Sequence, residues 1–301
     1  MLWRDSPSSN PWGLSFMAMF HMTSDSDLFH AEDILESAGW TLDGNIFRRD
    51  GQQMLPLYEA KMIHHFDSRF GTFEGRMEAQ ANVGTLPRLS LEAKRDPQAV
   101  PLPRYWICES EVQEKIANRI SRTWTLGWRD ITSAGNERTM VSSLVPVVAV
   151  GNTLPLMISD HSKLWLLYAN LTSFALDYVV RQKNAGSHLN YFTVKQLPVL
   201  RPDAYGHEAK WSRSETVAEW IRGRVLELTY TAHDLDGFAA ELGSEQQPFV
   251  WDEDRRFAMR AELDAAYFHL YGVARHDASY IMDTFGAFQR NDPEGLRGRR
   301  R

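Results

Sequence analysis

The sequence predicts an α+β protein: a β-rich domain with an embedded helix, followed by a helical segment. Three observations carry this class. Strand-like runs, Met140 to Val150 and Leu154 to Ile158, are punctuated by Pro146 and Gly151 in the middle of the chain. Between them and the next third lies an apolar stripe at three- and four-residue spacing, formed by Leu164, Tyr168, Leu171, Phe174, Ala175 and Tyr178. Beyond Ser214 the helical period takes over, with Val217, Ile221, Val225 and Leu228 on one face.

Taken in order, residues 1–103 mix short apolar segments with turn signals, Asp43-Gly44-Asn45 and Asp50-Gly51, and end in a proline-rich connector from Pro97 to Pro103. Residues 104–202 form the β-rich domain, in which Lys163 to Lys183 is one helix with Ser162 at its start and Tyr191 to Val194 is a strand of aromatic and β-branched residues. Residues 203–290 are helical. Ser214 is the expected N-cap for Glu215 to Ala232, and a second helix from Glu253 to Tyr271 stops at Gly272. Residues 291–301, ending Gly295-Leu-Arg-Gly-Arg-Arg-Arg301, have no core-forming content and form a disordered basic tail.

Composition narrows the function classes. A 43% hydrophobic, 12% aromatic chain of 301 residues holds real cores and is not disordered. A single cysteine, Cys108, excludes an internal disulfide and fits a reducing cytoplasm. The start of the chain has no secretory pattern, and the most apolar run, Leu164 to Ala169, is too short to span a bilayer. A net charge of -6 argues against a non-specific nucleic-acid binder, so any DNA contact must come from a local patch.

Such a patch is present. No carboxylate occurs from Tyr178 to Pro202, so Arg181, Lys183, Lys195 and Arg201 stand in a locally positive field. Between them, Asn184 to Asn190 is a polar loop centred on Gly186, and it offers Ser187, His188 and Asn190 as short, directional groups. Long cations suit phosphates, whereas short donors and acceptors suit base edges. Gly186 would allow an unusual backbone conformation or a close approach to phosphate. The competing interpretation is an ordinary surface loop whose His188 and Asn190 only cap the loop with internal hydrogen bonds. Upstream, Arg119, Arg122, Trp124, Trp128 and Arg129 lie in a stretch with no acid between Glu114 and Asp130; they could stack on bases or pack inside the fold.

Three further constellations carry residue types with possible chemistry of their own. Asn10-Pro11-Trp12 resembles the Asn-Pro-Pro-aromatic grip of amino-methyltransferases but lacks the second proline, and a plain turn is the simpler expectation. Glu59-Ala60-Lys61, with Asp43 upstream, has the spacing of half a magnesium-dependent nuclease site. His64, His65 and Asp67, with His21 and His30, suggest metal ligation, but adjacent histidines in an extended segment point to opposite faces.

Three blocks together resemble the C-terminal part of large adenine-specific DNA methyltransferases: Leu-Pro-Leu-Tyr-Glu-Ala-Lys-Met-Ile-His-His-Phe-Asp-Ser-Arg-Phe from Leu55 to Phe70, Leu126 to Thr132 continuing through Asn136 to Thr139, and Arg181 to Leu200. The family is the type IIG restriction-modification and related phage-defence methylases with a TaqI-like specificity region, and the resemblance spans about Asn10 to Phe285. It implies that residues 1–103 are a connector following a methylase domain and that residues 104–202 are a DNA target-recognition domain. It adds Arg138 to the candidate DNA-binding set of Arg129, Arg181, Lys183, Gly186, Ser187, His188, Asn190 and Lys195. The family methylates a flipped adenine with S-adenosylmethionine. The catalytic motifs of that domain are absent here, so the resemblance implies double-stranded DNA as a partner, a separate methylase polypeptide as a second, no cofactor in this chain and no catalytic residue. The alternatives are a magnesium-dependent nuclease centred on Glu59 and Lys61, and an inactive interaction remnant.

Overall fold

A computed structural model describes residues 10–82 and 84–291; the expected basic tail lies almost wholly outside them. The fold is α+β. In chain order it runs through strand β1 (Ser15–Met17), helix α1 (Glu32–Ser37), β2 (Thr41–Asp43), β3 (Ile46–Arg49), β4 (Gln52–Tyr58), α2 (Glu78–Asn82), α3 (Leu91–Arg95), β5 (Trp106–Cys108) and α4 (Glu109–Ile116). It continues with β6 (Trp124–Trp128), β7 (Ser142–Pro146), β8 (Ala149–Val150), β9 (Leu156–Ile158), α5 (Leu164–Leu171), α6 (Phe174–Lys183) and α7 (Tyr191–Lys195). The helical end comprises α8 (Val217–Thr229), α9 (Asp236–Glu241), α10 (Glu253–Leu270), α11 (Arg275–Asp283) and α12 (Gly286–Asn291).

The strands form two sheets, one ordered β1-β9-β6-β7 and the other β2-β3-β4-β5 with β8 parallel to β4. Both predicted turns are hairpins. Asp50 and Gly51 have φ of 51° and 77°, the left-handed pair that a tight two-residue turn needs between twisted strands. The pairing of β5 with β4, and of β1 with β9, carries each sheet across residue 103. All five residues of β6 are buried, because helix α5 covers one side of its sheet and is itself buried at every position. Trp124, Leu126, Trp128, Tyr168, Leu171 and Ile221 join one apolar core that runs from the sheet into α8 and α10.

Three expected elements differ in detail. The single helix from Lys163 to Lys183 is two, because Ser173 accepts a hydrogen bond from Leu176 N (3.3 Å) and caps a new helix, while Asp264 accepts one from Phe174 N (2.7 Å). The first of the two begins at Leu164 with Lys163, not Ser162, in the cap position. The expected strand Tyr191 to Val194 is a short helix, since Asn190 Oδ1 accepts from Thr193 N (3.0 Å) and a side-chain cap outweighs a weak β preference. Helix α8 begins after Thr216 instead of Ser214. There Thr216 N donates to Glu219 and Glu219 N to Thr216 Oγ1, a reciprocal capping box. The predicted stripe, Val217, Ile221, Val225 and Leu228, is buried, and α10 ends just before Gly272 at φ 67°.

A polar seam joins the proline-rich connector to the helical end. Arg69, 1% exposed, donates to the carbonyls of Lys94 (2.9 Å), Asp96 (3.0 Å), Ala99 (2.8 Å) and Thr231 (3.0 Å) and to Thr231 Oγ1 (3.1 Å). Asp67 pairs with Lys94 beside it. Arg256 links Leu228 O (2.6 Å) to Phe66 O (2.7 Å), and burial pulls its pKa down to about 10.

Asp234 lies near this seam. Its carboxylate oxygens reach no hydrogen-bond partner beyond its own backbone amide, and burial, only partly offset by Arg69, pushes its pKa up to about 6. A raised folded pKa favours the protonated form, so its contribution to stability is full below about pH 4 and lost as pH rises through 6. Thermal unfolding of the parent and of Asp234→Asn should therefore diverge in that window. The variant becomes relatively more stable as pH rises from 4 to 6, and a pH-independent difference would show that Asp234 does not titrate there.

Candidate nucleic-acid interface

The polar loop from Asn184 to Asn190 is anchored on the chain that continues β6. Leu189 N donates to Asp130 O (2.7 Å), Thr132 N donates to Ser187 O (2.9 Å), and Ile131 faces His188 in an antiparallel bridge. The buried Leu189 sits under the loop, and the Trp128 indole donates to its carbonyl at 2.9 Å. Asn184 is also buried and closes the turn through Nδ2 to Gly186 O (3.0 Å). The loop is thus fixed at its base, while Gly186, Ser187, His188 and Asn190 remain exposed.

The exposed groups have defined bonding states. His188 Nδ1 lies 2.8 Å from Asp130 Oδ2. Nδ1 is engaged by that carboxylate, which leaves Nε2 as the ring atom available to a partner. Asn190 Oδ1 is engaged by Thr193, so Asn190 presents donors only, not the donor and acceptor that the sequence suggested. Gly186 also differs from expectation: its φ is not positive and an added Cβ would meet nothing within 4 Å. The fold itself does not require glycine there.

The cations divide into two groups. Lys183 is exposed, and half-buried Lys195 holds its ammonium 5.8 Å from the Phe16 ring. Arg181, Arg138 and Arg129, by contrast, are committed inside the protein. Arg181 donates to Asn136 O and Glu137 O, stacks on Phe285 at 3.8 Å and lies 3.9 Å from Asp177. Arg138 binds the Thr172 carbonyl, stacks on Phe174 at 3.7 Å and pairs with the same Asp177 at 3.6 Å. Arg129 donates to Ile63 O and covers Phe70, and burial pulls its pKa down to about 10. None of these three is placed to grip a phosphate.

Asp177 explains the arrangement. It is fully buried, accepts from Thr139 N and Met140 N (3.0 and 2.7 Å), and draws both arginines inward. Burial raises its pKa, with Arg138, the two backbone donors and Arg181 opposing.

Beside the loop the structure adds residues that charge patterning did not single out. Phe192 is 74% exposed and Ile131 56% exposed. Phe16 packs edge-on against Tyr191 and Trp128, and Arg119 donates to the Phe16 carbonyl (3.2 Å). The two tryptophans of the Arg119–Arg129 stretch, Trp124 and Trp128, are buried and unavailable to bases.

The other constellations have local roles. Asn10 closes a turn with both side-chain atoms on Leu14, and Trp12 is buried with its indole on Leu200 O (3.0 Å). Glu59 and Lys61 pair with each other at 3.4 Å, whereas Asp43 pairs with Arg48. His64 stacks near Phe70, and among the described residues no group of three or more His, Cys, Asp or Glu could hold a metal ion. Strand β4, half of the parallel pair β4–β8, leads into Glu59-Ala60-Lys61-Met62, which contains no glycine-rich turn to cradle S-adenosylmethionine. No described helix is long and apolar enough to cross a membrane. The chain matches no known family pattern, no curated protein and no solved structure.

Proposed function

We propose that this chain is the sequence-reading part of an adenine-specific DNA methyltransferase of a restriction-modification or phage-defence system. It would act in the reducing cytoplasm, with catalysis and S-adenosylmethionine binding supplied by a separate methylase polypeptide. The observation that carries the proposal is the anchored 184–190 loop, which exposes the Asn190 donors and the His188 ring between Lys183 and Lys195. Support also comes from the three sequence blocks that resemble that family.

The loop assigns a division of labour. Lys183 and Lys195 contact phosphates and weaken all sequences alike when removed. Asn190 Nδ2 donates to a base-edge acceptor such as guanine O6 or adenine N7. His188 Nε2 accepts from an exocyclic amino group.

Two variants test this. Lys183→Ala should make the dependence of log affinity on log salt shallower by about 0.9, without changing sequence preference. Asn190→Ser keeps a capping oxygen, so stability stays near that of the parent, but it removes the amide donors and should relax discrimination at one base pair by about 1–3 kcal/mol. If both folded proteins match the parent in affinity, slope and preference, the loop is not the DNA surface. Gly186→Ala supplies a third reading. Because the fold leaves room for a Cβ, its melting temperature should be unchanged or slightly raised. A loss of DNA affinity in that variant then reports close approach of a partner to the loop.

A further inference from the structure

A pocket of about 370 Å³ opens on the other side of Phe174, between α10, α11 and the turn that carries His64 to Phe66. Its volume lies within the range of small-molecule sites, roughly 300–1,000 Å³. The walls are aromatic, contributed by Phe174, Phe257, Phe268 and Phe288.

Polar groups converge on the same space. His65 is 6% exposed; its ring nitrogens make no well-formed hydrogen bond, the Ser142 backbone being the polar group beside them, and burial with Arg138 lowers its pKa. Arg260 lines the pocket and makes no hydrogen bond or ion pair with the described residues; burial and the neighbouring Arg138 lower its pKa, opposed by Glu253, Asp264 and Glu137. Arg138 and Arg275 add positive charge. Of the acids present, Asp264 already accepts from Phe174 N (2.7 Å), and burial pushes its pKa up to about 6. Glu137 and Asp283 also line the pocket, and each makes a further interaction within the protein. Buried polar groups left unpaired are costly, and a cation facing aromatic walls lowers that cost by gaining an anion.

We propose that this pocket binds a small planar aromatic anion, with its ring between the phenylalanines and its acidic group on Arg260 and His65. The site is separate from the 184–190 loop, so its occupancy does not depend on the DNA-reading assignment.

Isothermal titration of the full chain with naphthoate, naphthyl phosphate and neutral naphthamide tests it. The two anions should bind at one site, with naphthamide at least tenfold weaker, and the tighter anion identifies a carboxylate or a phosphate as the natural group. Arg260→Met should reduce both anions to the affinity of the amide, with duplex-DNA affinity unchanged. Should Arg260→Met unfold, Ala278→Leu, which fills the pocket from α11, should abolish binding of all three. The proposal is overturned if naphthamide binds as tightly as the anions, if folded Arg260→Met or Ala278→Leu retains the anion preference, or if neither anion binds at millimolar concentration.

Discussion

Replacing Asp177 by alanine is expected to destabilise the protein by about 3–5 kcal/mol, the range for leaving buried charge without its partner. The carboxylate is fully buried and accepts from two backbone amides, Thr139 N and Met140 N, while facing two arginines. Its loss orphans both amides and takes from Arg138 and Arg181 the carboxylate that both pair with. Asp177→Asn retains one acceptor oxygen but no charge, and should fall between parent and alanine. Urea midpoints of the three proteins give the order; an alanine variant within 1 kcal/mol of the parent would mean that the arginines find other partners.

Arg69→Met is expected to cost a similar amount, about 3–5 kcal/mol, for a different reason. The forked guanidinium satisfies four carbonyls and a hydroxyl from chain segments as distant as Lys94 and Thr231, and the methionine that replaces it can fill the volume but donate nothing. Arg69→Lys restores charge without the fork, so it should recover less than half of the loss. Because the seam joins the connector to the helical end, the variant should also raise proteolysis within Pro97 to Pro103 before global unfolding. Cleavage elsewhere first would show that the seam is not the weakest link.

The legibility of the sequence followed how local each cause is. The Asp43-Gly44 and Asp50-Gly51 turns, the stripe of α8 and the glycine stop after α10 depend on neighbours within one or two turns of chain, and all four stand in the structure. The break at Ser173 and the helix at Tyr191 depend on caps, whose oxygens outweigh apolar periodicity and β propensity. Thr216-x-x-Glu219 carries the capping-box signature two residues from the expected Ser214, so that signal was available.

The site was half legible for the same reason. The acid-free run from Tyr178 to Pro202 ends one residue short of Asp177, which lies one helical turn before Arg181 and takes it out of solvent. Polar residues of the loop stayed exposed because the loop is held by backbone bonds to Asp130 and Thr132, which charge patterning does not reveal. The pocket was not legible at all: His65, Arg138, Phe174, Arg260 and Arg275 come from five separate stretches, and only tertiary packing gathers them.

The most direct measurement of the central claim is selection of duplexes from a random-sequence pool by the purified chain at several salt concentrations. The account predicts enrichment of one short motif, with binding that weakens as salt rises and a preference at one base pair that disappears in Asn190→Ser. Recovery of no common motif by the folded parent protein, or of the same motif with undiminished preference by Asn190→Ser, would contradict it.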